Sequence, residues 1–350
     1  MTSERERSVA NTISARRGAI AADVTARVFA QWPELDVRYG AAGRAKCTQD
    51  AEYHLTYLEQ ALALGSADLF ADYVDWAQTM LSSRGLPESD LAKHLRILVG
   101  VVAEHVAPEE VTVLERIVDA AFARLRTLDP IPAMSADSPA GKFLDALRQR
   151  GPKAATSFVS ELLDTGVPLK DIYVGVLQPA LHEIGRLWQL NEIGVAEEHY
   201  YTAATQLVMA HLYERLFAEP TAEPTIVIAC VPGELHEVGA RMVADLLQSH
   251  GFTTFFLGAN LPAKDLVKFV ADRRASVVGL STTFTPHLSR AAETIAALRS
   301  DARTSGVKIV VGGYPYTRVS ELWRRLGADG FAADAEDAVR LIGELSGRGR

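Results

Sequence analysis

The hydrophobic and polar positions of this chain follow different patterns before and after residue 224. Up to that point apolar side chains recur every three or four residues over long segments, which is the spacing of amphipathic helices. Proline and acidic residues at Pro108-Glu109-Glu110 are typical of the first turn of a helix. The predicted helices of the first block are Val9–Trp32, Thr48–Gly65, Ala67–Arg84, Glu88–His105 and Pro108–Leu128.

A polar, proline-rich segment at 129–140 predicts a linker. It separates a helical domain at 1–128 from a second helical block at 141–218. The predicted helices of this block are Lys142–Arg150, Pro152–Thr165, Pro168–Leu190 and Val195–Phe217. Helices joined by such short connections favour a four-helix bundle.

From 224 to 350, short apolar runs alternate with helical segments. The predicted strands are Thr225–Val231, Thr253–Leu257, Ser276–Ser281, Lys308–Val311 and Gly330–Ala333. This alternation predicts a five-stranded parallel sheet with flavodoxin-like winding, a Rossmann-like domain at 224–350. The predicted fold class is therefore α plus α/β, with helical domains first and the sheet last.

Composition narrows the classes of function. The net charge is −8 and no Lys/Arg-rich run occurs, which argues against direct nucleic-acid binding. No apolar run is long enough to span a membrane, and the N-terminus lacks the apolar core of a signal peptide. We therefore expect a cytoplasmic protein without a membrane partner. Cys47 and Cys230 are the only cysteines, so a disulfide framework is not expected.

The loop after the first predicted strand carries the sequence Glu234-Leu235-His236-Glu237-Val238-Gly239. In a parallel sheet this loop faces the ligand crevice. His236 can bind a metal through one ring nitrogen while Glu234 holds the other nitrogen and sets its basicity. Gly239 lets the start of the next helix pass close to a bulky ligand. Taken alone, the motif E-x-H-x-x-G is equally compatible with a loop histidine of no special role.

Three more strand ends carry short polar or glycine motifs. They are the Leu257–Pro262 turn with Gly258, the hydroxyls of Ser281 and Thr283, and the pair Gly312-Gly313. Because such loops converge beside the point where the strand order reverses, we expect a shared site. In this order and spacing, the four loops resemble the cobalamin-binding domain of methionine synthase, corrinoid carriers and adenosylcobalamin mutases.

That resemblance covers roughly Pro224 to Ile342 and implies roles for the loop residues. The nucleotide tail of cobalamin would insert into the sheet, with His236 as lower axial ligand of cobalt and Glu234 supporting it. Ser281 and Thr283 would contact the tail, and Gly312-Gly313 would make room for it. Gly258 in the turn after the second strand is a further cofactor-binding candidate. The family's usual aspartate two residues before the histidine is here Glu234, which keeps the carboxylate on a longer arm.

A second motif lies in the bundle, on two consecutive predicted helices. Trp188 ends one helix and Glu198-His199 begin the next, so the turn between them brings both groups to the same end of the bundle. Alone, they are compatible with a core tryptophan and an acid favoured by the helix dipole. Trp188, nine intervening residues and Glu198-His199 resemble the W-x9-EH signature of CarH-type cobalamin photoreceptors.

This second resemblance implies that Trp188 and Glu198 cap the 5′-deoxyadenosyl group of adenosylcobalamin, whose cobalt–carbon bond visible light breaks. CarH-type sensors carry a histidine directly after the tryptophan, which binds cobalt after photolysis. This chain has Gln189 there. The upper ligand after photolysis would then be His199 or water, or the cycle would be reversible.

The N-terminal domain shows neither the basic recognition helix nor the β-wing pattern with which CarH-type repressors begin. Its histidines and aromatic residues are compatible with an aromatic core and surface histidines. A helical domain in front of a cobalamin light-sensing module also resembles the photocobilins, which pair cobalamin with biliverdin. A bilin needs basic groups for its propionates and polar groups for its pyrrole nitrogens. The candidates are Arg38, Arg44 and Lys46 for the propionates, His54 or Tyr57 for the nitrogens, and Cys47 for a thioether.

Together these features favour a light-sensing protein without enzymatic turnover, which binds adenosylcobalamin and a bilin. It would signal by light-dependent homo-oligomerisation or through a separate effector protein. A corrinoid carrier of a cobalamin-dependent methyltransferase system is the alternative, although a methyl group needs no such cap. An adenosylcobalamin isomerase would need a (β/α)8 barrel, a pattern that this sequence lacks.

Overall fold

The computed structural model describes residues 3–125, 132–213 and 224–347. The chain divides into two compact units, Met1–Asp129 and Pro130–Arg350. The first unit is helical, and the second combines the bundle and the sheet.

The helices of the first unit are α1 (Glu4–Gln31), α2 (Glu34–Ala63), α3 (Ala67–Ser83), α4 (Glu88–Ala103) and α5 (Pro108–Arg124). Two predicted starts were wrong. A capping box between Ser3 and Glu6 begins α1 five residues before Val9. Helix α2 begins at Glu34, ahead of the predicted Thr48. It is kinked at Gly40, which has a positive φ (56°), and the helix continues after it. The predicted end at Leu128 lies outside the described residues.

The core of the first unit is formed by the apolar stripes of these helices. Fully buried members include Ile13, Ile20, Leu55, Phe70 and Leu98. They come from α1, α2, α3 and α4, so the four helices share one interior. The same packing places parts of α2, α3 and α4 side by side.

The bundle contains α6 (Pro139–Arg150), α7 (Pro152–Asp164), α8 (Leu169–Ile172), α9 (Gln178–Gln189) and α10 (Val195–Tyr213). Helix α6 begins at Pro139, ahead of the predicted Lys142. The hydroxyl of Ser138, within the predicted linker, accepts from Gly141 N at 3.0 Å and caps the helix, with proline at its first position. Helices α8 and α9 are continuous through a π-helical turn at Tyr173–Leu177. Pro179 follows that turn and lacks a backbone N–H, which the wider turn accommodates. Phe217, the predicted end of α10, lies outside the described residues.

The predicted five-stranded parallel sheet is confirmed, with strand order 2-1-3-4-5. Its strands are β1 (Thr225–Cys230), β2 (Thr253–Phe256), β3 (Val277–Ser281), β4 (Lys308–Gly312) and β5 (Gly330–Ala332). The order reverses between β1 and β3, where Cys230 pairs with Ser281. The connecting helices are α11 (Val238–Ser249), α12 (Ala263–Arg273), α13 (Leu288–Ser300), α14 (Tyr314–Arg318), α15 (Leu322–Leu326) and α16 (Ala335–Leu345).

Bundle and sheet share one core. The cluster built on Phe143 and Leu147 of the bundle also contains Met242 and Leu246 of α11. Helix α11 thus lies between the bundle and the sheet, with its first residues directly after the Glu234–Glu237 loop. Among the described helices, none is long and apolar enough to cross a membrane.

Candidate functional site

A buried carboxylate organises the loop at the switch point of the sheet. Glu234 is completely buried, and both of its oxygens accept several hydrogen bonds. Its Oε1 accepts from His236 Nδ1 at 2.6 Å and from the His236 backbone N at 3.0 Å. Its Oε2 accepts from the backbone N of Thr283 and Phe284 at 2.7 and 3.0 Å, and from His287 Nδ1 at 3.1 Å. One side chain therefore joins the loops after β1 and β3.

The contacts of Glu234 keep it ionised. Burial alone would raise the pKa of its carboxyl, but the hydrogen bonds from the His236 and His287 rings and from backbone N–H groups hold that pKa well below its usual range. An ionised carboxylate accepts and cannot donate, so both histidines present N–H at Nδ1. The acceptor nitrogen of His236 is therefore Nε2.

The His236 ring is positioned to bind a metal from outside the loop. Its side chain is 51% exposed, and no described residue hydrogen-bonds to Nε2. The ring meets Phe284 edge to face with centroids 4.6 Å apart, which fixes its plane. A neutral imidazole oriented by a carboxylate is the arrangement that metal-binding histidines use.

The neighbouring turn locks this loop in place. Asn260 adopts the left-handed region (φ 52°), and its Oδ1 accepts from Gly233 N at 2.8 Å. Asn260 N donates to the Glu234 carbonyl at 2.9 Å. Glu237 Oε2 accepts from Ala259 N at 3.0 Å. Two strand ends are thereby joined around His236.

The predicted glycines serve different purposes. At Gly239 an added Cβ would meet nothing within 4 Å, so the space above the start of α11 is open. Gly258 has φ 77°, which the tight turn requires. Gly313 has φ 117°, and a Cβ there would lie 2.0 Å from the Thr282 carbonyl oxygen. Close backbone packing therefore explains Gly313, whereas a Cβ on Gly312 would only touch the Ala332 oxygen at 3.4 Å.

Ser281 and Thr283 flank a fully buried Thr282 at the end of β3. The Thr283 backbone N holds Glu234, so this residue supports the loop through its main chain. Thr282 Oγ1 accepts from the Tyr316 hydroxyl at 3.4 Å. Ser281 and Thr283 are partly exposed, and the Ser281 side chain hydrogen-bonds to Cys230.

Sequence reasoning missed three residues of this site: Asn260, Glu237 and His287. His287 is six residues after Ser281 and reaches back to Glu234 through the 3₁₀ turn Thr285–His287. Pro286 at that turn is a signal that the chain folds back after β3, and it could have identified His287. The contact itself depends on two loops that are distant in sequence.

The structure places Trp188 and Glu198 on two consecutive helices that pack against each other. The turn between these helices contains Asn191, which has a left-handed conformation (φ 58°). Trp188 packs partly against the bundle core. Glu198 Oε2 accepts from His199 Nδ1 at 2.6 Å, and its Oε1 accepts from Thr202 Oγ1 at 2.9 Å. The His199 side chain is 74% exposed. Gln189 is buried.

Helix α10 also reaches the loop that carries His236. Gln206 Nε2 donates to Glu237 Oε1 at 3.3 Å. Glu198, Thr202 and Gln206 are spaced four residues apart and therefore lie on one face of α10. At 1.5 Å per residue, Glu198 stands about 12 Å along the axis from Gln206. The face of α10 that carries Glu198 is thus the face that approaches the sheet loop.

In the first unit, Nδ1 of His54 on α2 lies 2.8 Å from the hydroxyl oxygen of Tyr73 and is hydrogen-bonded to it. Tyr57 stacks on Tyr73 with centroids 3.7 Å apart. Arg38 is exposed on the segment before Gly40, and Cys47 is partly buried two turns before His54. No described contact links Arg38 or Cys47 to this cluster.

Two of the proposed propionate partners are already paired. Arg44 forms an ion pair with Asp36, and Lys46 Nζ lies 2.9 Å from Asp50 Oδ1. Burial raises the pKa of the Cys47 thiol, which keeps it protonated and weakly nucleophilic. The structure therefore places His54 and Tyr57 together against Tyr73, and the basic residues lie outside this cluster.

Comparison with known proteins identifies the second unit. Two models described as B12 binding domain match residues 224–342 and 140–213. Dimethylamine corrinoid protein 1 of Methanosarcina acetivorans is 30% identical over 184 residues, which are 49% of this chain and 85% of that protein. This chain belongs to the B12-binding family.

Two further proteins similar to this B12-binding protein are a transcriptional repressor and a corrinoid protein. The HTH-type transcriptional repressor CarH of Myxococcus xanthus is 33% identical over 189 residues, 53% of this chain and 62% of the repressor. The solved structure of the Methanosarcina barkeri monomethylamine corrinoid protein is 24% identical, with a TM-score of 0.52; the match covers 60% of this chain and all of that one. The structural likeness supports the fold.

The helical unit matches a different family. A model described as phycobilisome protein covers residues 2–125. The two kinds of match therefore meet close to the boundary of the two compact units.

The residues of the sheet loop fit cobalamin. A corrin ring is bulky and largely apolar, and the loop offers a histidine with a free ring nitrogen beside exposed apolar side chains. Leu235 and Phe284 are 70% and 40% exposed. Large apolar side chains exposed around one metal-binding nitrogen are typical of a surface that a ligand covers. His236 would bind the cobalt of the cobalamin, with its ring held by Glu234, which His287 also contacts.

Proposed function

We propose that this B12-binding protein is a light sensor whose chromophore is adenosylcobalamin. The observation that carries the proposal is the position of the bundle motif. Glu198 lies on the same face of α10 as Gln206. Gln206 donates a hydrogen bond to Glu237, the residue directly after His236. Trp188 stands on the adjacent helix. The similarity to CarH, 33% over 189 residues, supports the same proposal.

In this proposal the bundle covers the upper face of the cobalamin and the sheet holds the lower face. Adenosylcobalamin supplies a cobalt–carbon bond that visible light breaks. Trp188 contributes apolar area to the cover, and Glu198, fixed by Thr202, contributes an acceptor for polar groups. The Gln206–Glu237 hydrogen bond links this cover to the loop of His236.

The signal would be a change in the arrangement of the bundle helices. Trp188 is only partly buried in the bundle core, so a change in its contacts on the exposed side alters how α9 packs. Such a packed element has a small number of discrete arrangements, and light would change their populations. The output would be a change in homo-oligomeric state or the binding of a separate effector, without catalytic turnover.

The proposal includes a second chromophore, a bilin such as biliverdin, in the first unit. The match of residues 2–125 to the phycobilisome protein model supports it. So does the buried cluster of His54, Tyr57 and Tyr73, which offers stacked aromatic rings beside neutral polar groups. Because Arg44 and Lys46 are paired within the protein, they would have to exchange partners to hold propionates.

The test is reconstitution of the full chain with adenosylcobalamin in the dark, followed by green light. Absorption spectra and size-exclusion elution are recorded before and after illumination. Trp188→Ala is compared with Trp323→Ala, since Trp323 is also half-buried but lies on α15, away from the bundle. We expect wild type and Trp323→Ala to change elution volume on illumination and Trp188→Ala to lose that change.

A wild-type protein that releases the adenosyl group as free adenosylcobalamin does, with unchanged elution volume, would contradict the light-sensor proposal. Equal behaviour of the two tryptophan variants would remove Trp188 from the cover while leaving the cofactor assignment intact.

A corrinoid carrier in a methyltransferase system is the second candidate. The dimethylamine corrinoid protein that is 30% identical over 85% of its length favours it. The exposed His236 loop is compatible with this role as well. The two candidates differ in their preferred upper ligand: a carrier binds methylcobalamin at least as tightly as adenosylcobalamin. Parallel titrations with both forms in the dark therefore separate them.

A further inference from the structure

Three polar rings from three helices meet inside the first unit. His54 comes from α2, Tyr73 from α3 and His94 from α4. The His54 and His94 rings lie edge to face with centroids 5.1 Å apart, and His54 Nδ1 is hydrogen-bonded to the Tyr73 hydroxyl at 2.8 Å. His54 is 4% exposed. The cluster therefore belongs to the interior of the unit.

One nitrogen of this cluster has no protein partner. His94 Nε2 is sealed from solvent, and no residue in the described parts of the chain hydrogen-bonds to it. Buried polar atoms without a partner are rare in native proteins, because they lose their bonds to water and gain nothing. His94 Nε2 is therefore suited to pair with a group that the polypeptide does not supply.

Both histidines are uncharged at neutral pH. Burial lowers the pKa of His94 to about 4, and burial, together with the neighbouring His94, lowers the pKa of His54 well below its usual range. A neutral imidazole carries one N–H and one lone pair, which match a lactam or pyrrole group better than a carboxylate. Within the described residues, no group of three metal-ligating side chains surrounds the pair.

A flat aromatic wall adjoins the histidines. Tyr57 and Tyr73 are stacked, with centroids 3.7 Å apart and planes 12° apart, and Trp76 continues the stack at 6.4 Å from Tyr73. Tyr57 and Trp76 are half-buried, so the wall extends from the core to the surface. Stacked rings of this kind bind flat conjugated molecules.

We propose that His94, supported by His54, is the hydrogen-bonding group for a pyrrole or lactam of a linear tetrapyrrole lying against Tyr57 and Tyr73. The inference rests on the bilin proposed above and names the residue that recognises it. A hydrogen bond to the conjugated system changes its electron distribution, so His94 sets the position of the absorption band. A haem would share the tetrapyrrole chemistry, but the edge-to-face contact of the two rings leaves no space for an iron held by both of them.

The experiment titrates biliverdin into the full chain loaded with adenosylcobalamin, in the dark, and follows the visible absorption. The variants are His94→Leu, which removes both nitrogens, and His94→Gln, which keeps polar atoms near the same place. His105→Gln is the matched control, because His105 is also half-buried in the first unit but hydrogen-bonds Arg16 at 3.3 Å. We expect His94→Leu to weaken biliverdin binding about tenfold or more and to shift the band. His94→Gln should lie between, and the control should match wild type.

A second measurement separates recognition from packing. Because His94→Leu removes an unpaired buried atom, the thermal midpoint of the chain without biliverdin should stay equal or rise. A midpoint that falls as sharply as the biliverdin affinity would make His94 a packing residue and overturn the inference.

The remaining outcomes are distinct. Wild type that binds no biliverdin would overturn this inference together with the second chromophore. Wild type that binds it, with His94→Leu unchanged in affinity and band position, would overturn the inference alone. A third outcome is that His94→Leu changes the absorption band of bound haemin but leaves biliverdin binding unchanged. That result would assign the site to haem and overturn the inference.

Discussion

Two buried polar clusters, one in each unit, satisfy their hydrogen bonds in opposite ways. Around Glu234, a charged carboxylate accepts from two histidine rings and three backbone N–H groups. Around His54, the histidines are neutral and His94 Nε2 is left without a protein partner. The first cluster is complete without a ligand and presents one nitrogen outward. The second is incomplete within the protein. The first cluster therefore positions a ligand-binding nitrogen without needing the ligand for its own hydrogen bonds, whereas the second lacks a partner that a ligand could supply.

The largest effect is expected for Glu234→Gln. The amide keeps the shape but removes the charge and points N–H groups at the donors that now face Oε2. Leaving such a buried network unpaired costs about 4 kcal/mol of unfolding free energy. Urea unfolding of the second unit measures it. Glu234→Asp is the control, since it retains the carboxylate; equal stability of wild type and Glu234→Gln would show that the network is not structural.

If His236 is the lower cobalt ligand, as the proposed site requires, His236→Ala should remove that ligand and leave the fold intact. Its side chain is half exposed, so little apolar area is lost. We expect roughly 100-fold weaker cobalamin binding, the upper end of what metal-site changes cost, or a spectrum with solvent as lower ligand. His250→Ala is the matched control, because His250 hydrogen-bonds only within the end of α11. An unchanged spectrum of His236→Ala would remove the axial assignment.

Lowering the pH should destabilise the protein around His94 before it destabilises the protein around Glu234. The folded pKa of His94 is about 4 against an ordinary value of 6.5, because burial disfavours the charged ring. The unfolded chain therefore binds a proton that the folded state does not, and the protein loses stability as pH falls from 6.5 toward 4. This loss is about 2 kcal/mol between pH 7 and pH 5. The pKa of Glu234 is lowered as well, so its contribution persists until pH falls below the ordinary range of a glutamate.

Hydrogen exchange at pH 7 and pH 5, corrected for intrinsic rates, measures this difference locally. Peptides from α2 and α4 should lose protection at pH 5, while those containing Glu234 and Thr283 should keep it. His94→Leu should reduce the pH dependence in α4. Equal loss of protection in both clusters would mean that burial does not control these histidines.

The smallest effect is expected for Tyr73→Phe, which leaves His54 Nδ1 without its hydroxyl partner. The cost should be about 1 kcal/mol, that of one buried hydrogen bond. Thermal unfolding measures it, with Tyr53→Phe as control because Tyr53 is 52% exposed. A loss in Tyr73→Phe as large as in Glu234→Gln would contradict the contrast between the clusters.

These clusters also differ in how far the sequence predicted them. The strands, their parallel order and the loop of Glu234 and His236 followed from local signals: apolar runs of strand length and a motif of six consecutive residues. His287 and Asn260 did not, because each joins Glu234 through a contact between separate loops. Periodicity reports burial along an element, but not which loop end lies beside another.

In the first unit, the sequence predicted helices but not the pairing of His54 with His94. The two residues are on different helices, and helical periodicity leaves the relative rotation of packed helices undetermined. The predicted start of the second helix at Thr48 was also too late. Gly40 has a positive φ inside an otherwise helical segment that begins at Glu34.

The shared core of bundle and sheet also affects where this chain could recombine with other proteins. Met242 and Leu246 of α11 pack among the bundle side chains, and the Tyr173 hydroxyl donates to the buried Asp245 at 2.9 Å. A bundle transplanted without α11 would expose these apolar surfaces and leave Asp245 unpaired. We therefore expect recombination between genes to be tolerated near residue 130, where the compact units divide, and penalised between α10 and β1. Bundle and sheet would have to be inherited together, because each completes the other's core.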